Sequence, residues 1–168
     1  MQFFEYKETA LEMGALHSAE FNINHIAFDP RVILKCMFGC ADYGKLHTCP
    51  NQRSKLNQKE YEEIFRRYRG GIVIGTHDKK KSQDISYEIE RKCFLDGFYF
   101  AFSLSDCAVC SECALSSHKE CRSPKKARPA FHSVGIDVFK TVRNLGLPID
   151  VLKDKNETVN WYSAVFID

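Results

Sequence analysis

The sequence predicts an α/β (or α+β) protein: a single small mixed β-sheet of about four strands, flanked by helices and carrying two cysteine-rich cluster-binding loops. Three observations predict it. Segments of helical period alternate with short β-branched runs along the chain. The closing segment 159–167 is apolar on both faces, as an interior strand must be. Seven of the eight cysteines fall into two compact groups that interrupt this pattern. At 168 residues, with no internal repeat or linker, one domain over 1–168 is expected.

Residues 4–13 read as a helix, with Phe4 and Leu11 seven apart and Gly14 as its stop. HSAEFNI (17–23) alternates weakly, as a strand does. Asn57 opens a second helix: Asn57 and Glu60 have capping-box spacing, and Tyr61, Ile64, Phe65 and Tyr68 follow at helical intervals. Gly70-Gly71 is expected to end it. IVIGT (72–76) is a β-branched run that reads as a buried strand, where the glycines mark close packing rather than a phosphate site. Residues 83–103 predict the longest helix, with Ile85, Ile89 and Cys93 stacked four apart and Phe94, Phe98 and Phe102 beside them. Asp137 caps a further helix carrying Val138, Val142 and Leu145, stopped by Gly146 and Pro148. Strands around 149–152 and 159–167, joined by the polar KDKNET turn, are expected to close the chain.

Composition narrows the class. The net charge of +2 is too small to imply nucleic acid or a membrane surface. The longest uncharged stretches are about ten residues, such as 158–167, whereas a spanning helix needs about 20. The opening residues carry Glu5 and Glu8 and lack the apolar core of a signal peptide. A cytoplasmic location follows as the expectation. In that reducing compartment clustered thiols bind metal or catalyse rather than pair as disulfides.

CAVCSEC places Cys107, Cys110 and Cys113 at two-residue spacing, and Cys121 follows eight residues later. Such a run lets a tight loop turn three thiolates onto neighbouring corners of a cubane, with a distant fourth closing it; a 4Fe-4S cluster is the expected cofactor. Zinc is the alternative, although it is usually held by two separate two-residue knuckles. Lys119, Arg122, Lys125, Lys126 and Arg128 follow, offset by Glu120. They read as a solvated basic face, or as cations that stabilise a reduced cluster. Without interleaved aromatics they do not argue for nucleic acid.

CMFGCADYGKLHTCP holds Cys36, Cys40 and Cys49, with Gly39 and Gly44 to let the backbone wrap closely. Three thiolates leave a fourth position open or filled otherwise. His47 is the nearest candidate and Asp42 a harder, weaker one. The short His-x-Cys spacing strains to reach two corners of one cube, which favours an open corner able to act as a Lewis acid. Cys93 continues an apolar stripe and reads as core. His77, His118 and His132 are isolated and read as core or surface.

These residues carry a resemblance. RVILKCMFGCADYGKLHTCP (31–50), CAVCSEC (107–113), CRSPKKARP (121–129) and GIDVFKTVRNLG (135–146) resemble a cysteine-rich family of predicted metal-binding proteins, found mainly in anaerobic bacteria and archaea. The resemblance runs from about residue 30 to the C-terminus. It implies ligand roles for Cys36, Cys40, Cys49, Cys107, Cys110, Cys113 and Cys121, and none for Cys93. Two departures stand out: Asn51 follows Pro50 where the family tends to have a second proline, and Ala130-Phe131-His132 replaces a Ser-Met-Glu segment.

The expected function is an iron–sulfur protein, with one or two 4Fe-4S clusters on a four-Cys and a three-Cys site, acting in electron transfer with a redox protein partner. The alternatives are a redox or Lewis-acid enzyme that binds a small molecule at the three-Cys site, and a structural zinc module. No membrane or nucleic-acid partner is expected.

Overall fold

The computed structural model describes residues 3–52, 56–154 and 156–168. In chain order these form α1 (Phe4–Glu12), β1 (His17–Asn22), α2 (Ile33–Gly39), α3 (Gln58–Phe65), β2 (Gly70–Thr76), α4 (Lys79–Leu95), β3 (Phe102–Leu104), α5 (Val138–Asn144) and β4 (Trp161–Ile167), with short 3-10 turns between. The strands lie in the order β1-β2-β4-β3.

Every pairing is antiparallel, so the sheet is not mixed as expected. The reason is topological. β2 and β3 run in the same direction and are joined by α4, but β4 returns between them and separates the parallel pair. β4 is therefore interior, as its apolar character requires. Successive residues of β2 and β4 feed opposite faces. Val73, Ala164 and Phe166 pack with Phe65, Phe131 and Val142 on one face. Ile72, Ile74, Val165 and Ile167 pack under α1 and α4 on the other.

Local signals explain most boundaries. Gly14 (φ +91°) ends α1, and the Asn57–Glu60 capping box opens α3. That helix stops at Phe65, so Gly70 and Gly71 open β2 instead of ending a helix. A Cβ on Gly70 would sit 2.1 Å from the Phe21 carbonyl oxygen, which confirms close strand packing. The longest helix begins earlier than 83, because Asp78 caps it through Lys81 N–H. It also ends earlier than 103: Gly97 takes φ +100° and the Phe98 N–H returns to the Cys93 carbonyl at 2.9 Å. Phe102 belongs to β3, a strand the helical pattern concealed. No strand forms at 149–152; Ile149 packs on the core from an irregular segment. Lys155 of the KDKNET turn lies outside the described residues.

Two features set the cysteine segments in place. The chain leaves β3 at Leu104, and Ser105 N–H bonds the Pro129 carbonyl at 2.9 Å, closing the neck of a loop that holds the second group. Residues 27–29 are pinned to 135–141 by a Phe28–Ile136 bridge, by Asp137 N–H to the Ala27 carbonyl (2.8 Å), and by Ala27 N–H to Thr141 Oγ1 (3.0 Å). α2, which carries Cys36, starts directly after this anchor.

Candidate metal centre

The first group stands on α2 and the turns after it. Cys36 lies in the last turns of α2, and Cys40 is its C-terminal cap. Consecutive turns then follow, with Tyr43 N–H to the Cys40 carbonyl, Lys45 N–H to Asp42 and Cys49 N–H to Leu46, at 3.0–3.2 Å. Gly44 takes φ +77° within them. The result brings Cys36, Cys40 and Cys49 onto one cavity of about 180 Å³, whose wall also includes Asp42, Asp106 and His132. Burial pushes the Cys36 thiol up to about 11, and the nearby Cys40, Cys49 and Asp106 push it the same way. A cation beside Cys36 would lower it again.

The second group is one long loop drawn together by α4. Gln83 is buried and spans it: Oε1 accepts from Ala108 N–H at 2.6 Å, and Nε2 donates to the Lys126 carbonyl at 3.3 Å. Cys107, Cys110, Cys113 and Cys121 all line one cavity of about 380 Å³. Lys45, Lys79 and Arg122 stand on the same wall. Of the expected basic run, only Arg122 is there. Arg128 leaves the basic face altogether: it is buried, and it pairs with Glu90 of α4.

The two cavities adjoin. Asp42, Leu46, Thr48 and Cys107 line both. His47 does not serve the first: its ring lines the four-thiol cavity, and Nε2 donates to the Lys119 carbonyl at 2.8 Å. It ties the two cysteine segments together. Cys93 is 0% exposed in the core beneath α4 and lines neither cavity. No disulfide joins any of the eight cysteines. Among the described residues no three His, Cys, Asp or Glu side chains converge as a set for a single metal ion; the thiols ring cavities instead.

Sequence reasoning missed three contributors. Gln83 and Glu90 look like ordinary polar positions of an amphipathic helix, and only the fold brings the loop across them. His132 is isolated in sequence, yet it stands on the wall of the three-thiol cavity and of a larger one, about 570 Å³, lined by Asp106, Phe139 and Trp161 among others. Burial, with Lys35, holds its imidazole below the ordinary range against the opposing pull of Asp106 and Asp137.

Fold and site together define a small cysteine-rich α/β protein with seven thiols around two adjoining cavities. The chain belongs to the family described as predicted metal-binding protein (DUF2284), whose sequence model matches residues 19–167. The match begins earlier than the resemblance read from the motifs and takes in most of β1. No curated protein and no solved structure matches the chain. No helix among the described residues is long and apolar enough to cross a membrane.

Proposed function

We propose that the protein is a cytoplasmic iron–sulfur protein acting in electron transfer. Cys107, Cys110, Cys113 and Cys121 hold one 4Fe-4S cluster, and Cys36, Cys40 and Cys49 hold a second. The observation that carries this reading is that seven unpaired thiols line two cavities with a common wall at Cys107. Soft thiolates suit iron–sulfur clusters. A cluster at each site supplies one-electron redox chemistry when bound.

The chain's own residues fit such a role. Gln83 fixes both ends of the four-thiol loop to α4, so its thiols are held by the core and not by a free loop. Lys45, Lys79 and Arg122, set against Asp42 and Glu112 on the same wall, offset part of the negative charge that four thiolates gather. The partner on this reading is a redox protein.

A specific observation favours a second reading, a redox or Lewis-acid enzyme. The three-thiol cavity shares Asp106, Ala130 and His132 with the 570 Å³ cavity, which has room for a small organic substrate.

EPR of the anaerobically reduced protein tests the proposal. Two cluster signals are expected, with Cys110→Ser removing or altering one and Cys40→Ser the other. Cyanide shifts the three-thiol signal on the enzyme reading and leaves it in place on the electron-carrier reading. Absence of both signals in protein carrying zinc contradicts the proposal.

A further inference from the structure

We infer that His132 supplies the fourth ligand at the three-thiol site. The inference rests on the reading of that site as a metal site and names the group that completes it. His132 lines the same cavity as Cys36, Cys40 and Cys49, although 83 residues separate it from Cys49. The fold holds it there. It lies in the 3-10 turn Phe131–Val134, which packs against α2, the helix that carries Cys36. Its neighbours are anchored in the core: Phe131 is 4% exposed and Val134 0%. The Ile136 N–H closes the turn on the Phe131 carbonyl at 3.0 Å.

The imidazole is half-buried, and among the described residues its ring makes no hydrogen bond. A half-buried imidazole without a partner beside three thiols has its ring nitrogens free to coordinate. The competing groups on the wall are less suited. Asp42 and Asp106 are hard carboxylates, whereas imidazole suits iron. Cys107 belongs to the two-residue run of the other cavity. His47, the sequence-based candidate, is committed to the Lys119 carbonyl on that other cavity.

The assignment has a functional consequence. Replacing one thiolate by a neutral imidazole removes a negative charge and raises a cluster's potential. His132 also lines the 570 Å³ cavity, so the ligand stands between the site and that space.

The test compares wild type, His132→Ala, His132→Cys, His47→Ala and Cys40→Ser, all purified anaerobically, by iron content, EPR and midpoint potential. With His132 as ligand, brief air oxidation of His132→Ala yields a 3Fe signal several-fold faster than in wild type, and added imidazole slows that loss. His132→Cys keeps the full iron content with a lower potential at that site, and His47→Ala leaves the signal and potential of the three-thiol site in place. The assignment is overturned if both His132 variants keep the wild-type spectrum and potential while Cys40→Ser changes them. If Cys40→Ser changes nothing, or the wild type holds no iron, the metal-site reading fails and takes this assignment with it.

Discussion

The Glu90 carboxylate and the Arg128 guanidinium form a two-point ion pair inside the protein, with Arg128 Nε 2.8 Å from Glu90 Oε2 and Nη2 against Oε1. Both side chains are nearly nine-tenths buried. Glu90 Oε2 also accepts from the backbone N–H (2.7 Å) and hydroxyl (2.6 Å) of Ser103, and Arg128 lies over the Phe102 ring. The pair therefore joins α4, β3 and the chain leaving the four-thiol loop. Removing one partner strands a buried charge. Glu90→Ala and Arg128→Met are each expected to cost about 3–5 kcal/mol in urea unfolding. The double variant Glu90→Leu/Arg128→Met recovers the part due to the stranded charge and keeps the cost of the Ser103 N–H and hydroxyl left without their acceptor.

Gln83 is the other tie between α4 and the four-thiol loop. Gln83→Leu leaves the Ala108 N–H and the Lys126 carbonyl without partners, at a cost of about 1–3 kcal/mol. Loosening both ends of the loop also speeds metal loss there. Chelator challenge should release metal several-fold faster from the four-thiol site of this variant, with the three-thiol site releasing as in wild type.

Cys93 gives a pH-dependent prediction. Burial pushes its thiol up to about 12 from 9.0, and burial likewise pushes the Tyr162 hydroxyl up to about 12 from 10.0. Both groups stay neutral in the fold, while the unfolded chain ionises them from their ordinary values. Their contribution is whole below about pH 9 and is lost as pH climbs toward about 12. Urea midpoints should fall over that window, and less steeply in Cys93→Ala. At neutral pH this variant keeps its metal content and loses about 1–2 kcal/mol to a small cavity. Iodoacetamide should leave Cys93 unmodified in the native protein.

His47→Ala removes the bond between the two cysteine segments. One hydrogen bond is worth about 1 kcal/mol, and its loss should appear in the unfolding midpoint. The spectrum of the three-thiol site should stay as in wild type.

Much of this was legible in the sequence because the signals were local. The capping box at Asn57, the glycine stop at Gly14 and the two-sided apolar run in β4 each depend on a few adjacent residues. The cysteine spacings likewise announce two groups, and the structure gathers each on its own cavity. What escaped is non-local. β3 has three residues and looks like the end of a helix until Gly97 turns the chain. Arg128 sits in a run of exposed cations and differs from them only because Glu90 waits across the fold. His47 is near Cys49 in sequence and faces the other cavity, whereas His132 is remote in sequence and faces the first.

Iron, acid-labile sulfide and zinc, measured together on anaerobically purified protein, test the central claim most directly. Two 4Fe-4S clusters require brown protein with iron and sulfide in near-equal amounts, about eight of each per chain. Colourless protein holding one or two zinc ions and no sulfide would contradict it.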